Sequence, residues 1–267
     1  MMDEITLRLA APEEDDALPL EDFLKQLDAI RHALNETQRV VTKSRKPSLR
    51  FKVVGLRRSS PTEVTLRAEP ITRGVDDSAR VVDAFLNATE HIQRRRSPPT
   101  GFDGPALRAF QAMAQMVDKK VTPVEIVRDG RTVHLSRELA NNVDSILGPK
   151  QYARGSVTGK LEKINLHRQQ NVFIVYPIVG PEHGIACEFP ARLTEQAVLA
   201  VNKYVDVTGR LTYNAVDSYP EKVRATGIEI YRDRAPFTLA ELHGIAPNAT
   251  GDKSSEDFIG RLRNEAY

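Results

Sequence analysis

The stretch Gly155-Ser156-Val157-Thr158-Gly159-Lys160 carries the residue types of a phosphate-binding loop. A true phosphate loop has four residues between its glycines and a serine or threonine after the lysine, and its backbone amides and a helix N-terminus surround the phosphate. Here three residues separate the glycines, Leu161 follows the lysine, and a strand pattern continues where the helix should begin. The stretch therefore predicts a strand and not a nucleotide site.

The remaining residues of types that serve in catalysis or metal binding do not have the spacing of a known active site or metal site. The six histidines lack metal-ligand spacing: His32, His91, His134, His167, His183 and His243. Cys187 lies in an apolar segment, which favours inert packing over a nucleophilic role. Ser156 lacks the glycine-flanked elbow of a hydrolase. The sequence predicts a non-enzymatic protein without a cofactor or metal, and an enzyme with a scattered site remains an alternative.

Cations beside aromatic rings are what a barrel needs to bind single-stranded nucleic acid, because rings stack on bases and cations pair with phosphates. The candidate cations are Lys160, Lys163, Arg168, Arg210 and Arg224, and the candidate aromatic residues are Phe173, Tyr176, Tyr204 and Tyr213. The whole chain has 38 Lys+Arg against 36 Asp+Glu, so strong basicity does not support this ligand. A protein partner is therefore an equal alternative.

Five strand-like segments and one helical segment must position these residues. They span 154–166, 171–179, 184–189, 191–202 (helical), 204–213 and 222–231. Strand-strand-strand-helix-strand-strand is the order of an OB-fold, a small Greek-key barrel that binds oligonucleotides and oligosaccharides. Gly159 and Gly209 lie within strand patterns and predict the bulges or bends that close such a barrel.

The preceding residues alternate between strand and helix patterns, ending with a hairpin at Asp129-Gly130 and a helix that Gly148-Pro149 terminates. The predicted fold class is an α+β N-terminal domain followed by a small all-β OB-like Greek-key barrel and a C-terminal tail helix. The predicted domains span 1–150 for the α+β part and 151–234 for the barrel. Residues 235–267 are predicted to form an extended arm and a short docking helix.

The tail is the candidate partner-binding segment. Ser254 and Asp257 have the spacing of a capping box at the start of a helix. The candidate contact residues are Phe258, Ile259, Arg261, Leu262 and Arg263. Because so short a helix is marginal in water, we expect it to dock on its own protein or on a partner.

The last half of the chain resembles a group of uncharacterised bacterial proteins. The resemblance covers the strand-rich segment 154–231, the linker Leu242-His243-Gly244-Ile245-Ala246-Pro247 and the ending Ser254-Ser255-Glu256-Asp257-Phe258-Ile259. The layout is also similar to that of small antitoxins, whose C-terminal segment places an apolar residue and an arginine in a toxin's active site. This resemblance implies a regulatory protein with a partner such as a toxin nuclease.

Composition and the N-terminus predict where the protein is found. Met1-Met2-Asp3-Glu4 is acidic where a signal peptide is basic, and no apolar run approaches the roughly 20 residues that span a bilayer. One cysteine cannot form an internal disulfide. The sequence thus predicts a cytoplasmic binding or regulatory module for nucleic acid or a partner protein, with no membrane partner. A purely structural adaptor is the remaining alternative.

Overall fold

The computed structural model describes residues 3–11, 17–44, 46–57, 61–72, 76–117, 119–122, 124–167, 171–181, 183–231, 254, 256–258 and 260–261. The chain forms two compact units, Met1–Ile230 and Tyr231–Tyr267. The first unit contains two five-stranded sheets, of which the second closes into a barrel. No helix in these ranges is long and apolar enough to cross a membrane.

The first sheet is antiparallel throughout its pairings and has the strand order β2-β3-β1-β4-β5. Its strands are β1 (Glu4–Leu9), β2 (Leu49–Arg57), β3 (Thr62–Pro70), β4 (Val124–Arg128) and β5 (Arg131–His134). The alternation of β1 buries Ile5, Leu7 and Leu9 on one face. The predicted hairpin between β4 and β5 is confirmed: Asp129 and Gly130 both have positive φ, as a tight two-residue turn requires.

Four helices cover the apolar face of this sheet. They are α1 (Leu20–Thr42), α2 (Ser78–Arg94), α3 (Gly104–Ala114) and α4 (Arg137–Leu147). Phe85 of α2 and Phe110 of α3 are fully buried, with ring centroids 5.5 Å apart. Burial of such a side chain contributes about 1.5–3 kcal/mol before ordering costs, so this contact anchors α2 against α3.

The second sheet is a closed barrel with the order β10-β8-β7-β6-β9, in which β9 also pairs with β10. Its elements are β6 (Gln151–Asn165), β7 (Val172–Pro177), β8 (Ile185–Glu188), a 3-10 turn (Ala191–Leu193), α5 (Thr194–Leu199), β9 (Tyr204–Tyr213) and β10 (Lys222–Ile230). β10 and β8 run parallel, and the other pairs are antiparallel.

Gly159 and Gly209 allow neighbouring barrel strands to approach closely. A Cβ atom on Gly159 would lie 2.3 Å from the carbonyl oxygen of Tyr176, and one on Gly209 would lie 2.2 Å from that of Arg224. The register shifts occur elsewhere, between Leu161 and Lys163 and between Ala225 and Gly227. The glycines therefore remove side chains where strands are tightly packed, and bulges form beside them.

The predicted fold class is wrong. The described residues contain two five-stranded sheets and six helices, and the first helix follows a single strand. The predicted helical segment 191–202 is present as a 3-10 turn and α5 between β8 and β9, so the label all-β does not describe the barrel segment. Among the described residues of the tail, 256–258 form a short helical turn in place of the predicted docking helix. The boundary near residue 150 remains a prediction.

In the second unit, Ser254 caps that helical turn. Its Oγ accepts a hydrogen bond of 3.2 Å from the Asp257 amide, and its carbonyl accepts one of 3.0 Å from the Phe258 amide. Ser254 and Asp257 thus interact at the predicted spacing. Phe258 and Arg261 are exposed, whereas Ile259, Leu262 and Arg263 lie outside the described residues.

Several contacts hold the barrel against α3 and α4. The Ala215 amide donates to the carbonyl oxygen of Leu147 at 2.8 Å. Glu221, which precedes β10, pairs with Arg108 of α3 and, at 3.2 Å, with Lys150. These contacts fix the loop between β9 and β10 on the helical layer, which leaves the outer face of β6, β9 and β10 free of this interface.

Candidate functional site

Three arginines lie in one row across the barrel. In the strand register, Arg210 of β9 lies opposite Arg154 of β6 on one side and opposite Arg224 of β10 on the other. Neighbouring strands are about 4.8 Å apart, so the row places three positive charges within roughly 10 Å of backbone. We call Arg154, Arg210 and Arg224 the arginine ladder.

Side-chain alternation places the ladder on the outer surface. Val157, Leu211 and Val223 point into the barrel and are at most 7% exposed. Each arginine is an odd number of positions away from one of these inward-pointing residues on its own strand. Because successive strand residues face opposite sides, the arginines point outward. All three arginines are exposed. The row therefore depends on the alternation within each strand and on the register between strands.

The charges of the ladder are not neutralised by carboxylates. Within the described ranges, none of the three guanidinium groups forms an ion pair. Glu188 of β8 lies opposite Arg224, but its carboxylate pairs with Lys222. Like charges directly opposite each other destabilise a sheet. An anion bound across the ladder would relieve this repulsion.

Tyr152 extends the ladder with an aromatic ring. It lies two residues before Arg154 on the same face of β6, and the Arg210 guanidinium carbon is 3.9 Å from its ring centroid. Tyr152 remains 57% exposed. A concavity of about 760 Å³ adjoins it, and its floor includes Gly155, Gly209 and the exposed Thr208 and Thr226.

Charge changes sign along the same face. At the far end of β9, Asp206 lies opposite Thr158 and Glu229, and its carboxylate accepts a hydrogen bond of 2.7 Å from the threonine hydroxyl. The basic row and this acidic row are four residues apart on β9. A polyanion is therefore attracted to the ladder end and repelled from the Asp206 end.

The sequence-based candidates are distributed differently. Of these candidates, Arg210 and Arg224 belong to the ladder. Lys160 is half-buried and lies 3.9 Å from Glu162, while Lys163 is exposed beside the β6–β7 register shift. Tyr176 is half-buried against Gly184, where a Cβ atom would lie 3.1 Å from its ring. Arg168 lies outside the described residues.

The proposed stacking role of Phe173 needs correction. Its side chain is 0% exposed and packs on Phe189 with ring centroids 5.1 Å apart, so no ring face is available to a base. The segment 171–179 is apolar at nearly every position. The segment therefore lacks an apolar–polar alternation that would indicate which residues point inward.

Neither Tyr152 nor Arg154 is among the sequence-based candidates. Tyr152 lies before the predicted strand, and Arg154 is its first residue. The strand was placed from residue 154, whereas β6 starts at Gln151. The available signal was Val157: counting back in steps of two from its exposed neighbour Ser156 puts Arg154 and Tyr152 on the outer face. The partnership with Arg210 depends on register, which the sequence does not show.

A second cluster lies at the N-terminus of α3. Oδ1 of Asp103 accepts hydrogen bonds from Arg39 at 2.6 Å and from the Ala106 amide at 3.1 Å. Nδ1 of His183 is 3.4 Å from Oδ2 of Asp103, longer than a usual hydrogen bond. Burial raises the pKa of the Asp103 carboxyl, but contacts with His183, Arg39 and the Ala106 amide outweigh burial and hold it well below its usual range. The carboxylate is therefore charged, and its hydrogen bonds join α1 to the N-terminus of α3.

No catalytic constellation emerges from the remaining reactive groups. Cys187 is fully buried, and burial raises the pKa of its thiol to about 12, so the reactive thiolate is not formed at neutral pH. In the described part of the chain, no group of three or more His, Cys, Asp or Glu side chains is placed to hold a metal ion.

Comparison with known proteins yields no relative. No protein family, no curated protein and no solved structure matches the chain.

Proposed function

We propose that this is a non-enzymatic binding protein whose barrel holds nucleic acid through the arginine ladder. The observation that carries the proposal is the in-register row of Arg154, Arg210 and Arg224, exposed and without carboxylate partners in the described residues. Repulsion among three aligned positive charges lowers the stability of the free protein. A bound phosphate backbone neutralises these charges and removes the repulsion.

Arginine suits this ligand. Its planar guanidinium donates two parallel hydrogen bonds to a phosphate and stays charged at every physiological pH. The resemblance of residues 154–232 to oligonucleotide-binding barrels supports the same ligand class. The aromatic ring and hydroxyl groups beside the ladder offer additional contacts to a nucleotide.

The test is fluorescence anisotropy of the full chain with labelled oligonucleotides at several salt concentrations. Three phosphates neutralised on a single strand give a slope of log K against log salt of about −2, because each contributes about −0.7. We expect Arg154→Gln and Arg224→Gln each to weaken binding and to reduce that slope by about 0.7.

Arg31→Gln is the matched control. Arg31 is an exposed arginine on α1, and its charge is paired with Asp28 at 2.6 Å. The Arg31→Gln substitution removes the same formal charge as each ladder substitution, so a loss of affinity in this variant would indicate a general charge effect. No binding at low salt would refute the proposal, and so would equal affinities of the wild type and a variant with all three ladder arginines replaced by glutamine.

A protein partner of the tail is the second candidate. It is favoured by the exposed Phe258 on a turn that Ser254 caps. Deletion of residues 252–267 should then remove copurifying proteins, a toxin nuclease among them, without changing thermal stability. Lowered stability with the same copurifying proteins would exclude this role.

The proposed location is the cytoplasm. It rests on the reduced, buried thiol of Cys187. Cell fractionation with an antibody against the chain tests the location directly, and recovery in the membrane or periplasmic fraction would contradict it.

A further inference from the structure

We propose that Tyr152 is a stacking platform for one unpaired base, so that the ladder selects single strands over duplexes. This inference rests on the proposed function and adds the form of nucleic acid that the site takes. It is carried by the contact between the Tyr152 ring and the Arg210 guanidinium, 3.9 Å from the ring centroid.

The contact holds the ring before any ligand binds. Tyr152 lies opposite Thr212, so Arg210 is its diagonal neighbour on β9. The guanidinium covers one face of the ring, and cation–π attraction keeps the two groups together. Since Tyr152 is 57% exposed, its ring retains surface for a ligand. A ring that is already ordered loses less conformational entropy when a base stacks on it.

Arg210 contacts the ring and a phosphate through different parts of its side chain. Stacking uses the flat face of the guanidinium, whereas its N–H groups point outward in the plane. The same arginine therefore holds Tyr152 and still donates to a phosphate between Arg154 and Arg224. One nucleotide can place its base on Tyr152 and its phosphate on the ladder.

Only an unpaired base can use this platform. Bases within a duplex are stacked on their neighbours, and their faces are covered, whereas single strands offer a free face to an aromatic ring. Duplex DNA and inorganic polyphosphate present phosphates to the ladder but no base to Tyr152. The affinity for a single strand should therefore exceed that for either of them.

The experiment compares three probes on the full chain: a labelled thymidine decamer, a duplex of mixed sequence and polyphosphate. Tyr152→Ala should weaken decamer binding about tenfold, the range for loss of one stacked base, and leave duplex and polyphosphate binding unchanged. Tyr152→Phe keeps the ring and should retain decamer binding. Tyr219→Ala is the control, because Tyr219 is an exposed tyrosine in the loop between β9 and β10, which lies on the helical layer.

The outcomes separate this inference from the proposed function. Equal wild-type affinity for decamer and duplex overturns the platform while the ladder stands. Equal weakening of all three probes by Tyr152→Ala also overturns it, since the ring would then only orient Arg210. Absence of binding to every probe refutes the proposed function and this inference together.

Discussion

The backbone amide of Gly104 donates a hydrogen bond of 2.9 Å to Oδ1 of Asp217, and this bond joins the first turn of α3 to the barrel loop between β9 and β10. The other carboxylate oxygen accepts a hydrogen bond of 2.7 Å from Nδ2 of the buried Asn214. A Cβ atom on Gly104 would lie 2.3 Å from Asp217, so glycine is required for the contact. Asp217 thus satisfies one donor from each side of the junction.

Asp217→Ala should lower the free energy of unfolding by about 1–3 kcal/mol, because both donors lose their acceptor. Urea unfolding followed by circular dichroism measures the change. Ser218→Ala is the neighbouring control, since Ser218 is exposed in the same loop. If Ser218→Ala lowers the free energy of unfolding as much as Asp217→Ala does, the effect belongs to the loop backbone and not to the Asp217 carboxylate.

The Asp103 carboxylate predicts a defined pH dependence of stability. Its pKa in the folded chain lies below the unfolded value of about 3.9. Its contribution is therefore fully present above that pH and is lost as pH falls through the folded value. Asp103→Asn should cost about 1–3 kcal/mol at pH 7, and the difference from wild type should shrink below about pH 4.

Unfolding at pH 7, 5 and 3 tests the Asp103 prediction. Asp28→Asn provides the comparison, because its partner Arg31 is exposed and such surface pairs contribute about 0–1 kcal/mol. A difference between Asp103→Asn and wild type that stays constant down to pH 3 would contradict the prediction.

The ladder should reduce stability in the absence of ligand. Arg224→Thr removes a like charge opposite Arg210 and introduces a residue favoured in strands, so the free energy of unfolding should rise by up to about 1 kcal/mol. The gain should diminish at high salt, which screens exposed charges. Thermal unfolding measures it, with Lys222→Thr as control because Lys222 has an ion pair to lose. A less stable Arg224→Thr would show that the row is not under repulsion.

Gly209→Ala should destabilise the barrel, because its Cβ atom would contact the Arg224 carbonyl oxygen at 2.2 Å and main chain must move. Overpacking of this kind costs about 1–3 kcal/mol. Gly155→Ala is the control, since its Cβ atom meets the flexible end of Leu211 at 3.0 Å. Equal unfolding free energies for the two variants would refute this account of Gly209.

Hydrophobic patterning locates the five strands of the barrel, because a half-buried strand needs an apolar residue at every second position. It failed where polar residues are buried. Near the end of α1, Gln38 is 3% exposed and its Oε1 accepts a hydrogen bond of 2.9 Å from the Leu49 amide. Thr37 and Gln38 are therefore buried polar residues within α1, at positions where an apolar pattern expects hydrophobic side chains.

The candidate site was predicted in part. Arg210 and Arg224 are identified by residue type, but their alignment with each other and with Arg154 is not, because register arises from strand pairing and bulges rather than from any one strand. The register shift between Ala225 and Gly227 changes which residues of β10 face β9. The assignment of Arg154 and Tyr152 required the three-dimensional pairing of β6 with β9.

Of the strands in the first sheet, β1 leaves the ribosome first, yet it occupies the centre of the finished sheet. It can pair with β3 early, but its other partner is β4, at residues 124–127. During translation of the intervening segment, one edge of β1 presents unpaired amide and carbonyl groups that another chain can pair with. Nascent chains halted between β3 and β4 should therefore be prone to aggregation, and chaperones that bind extended apolar segments should engage them there.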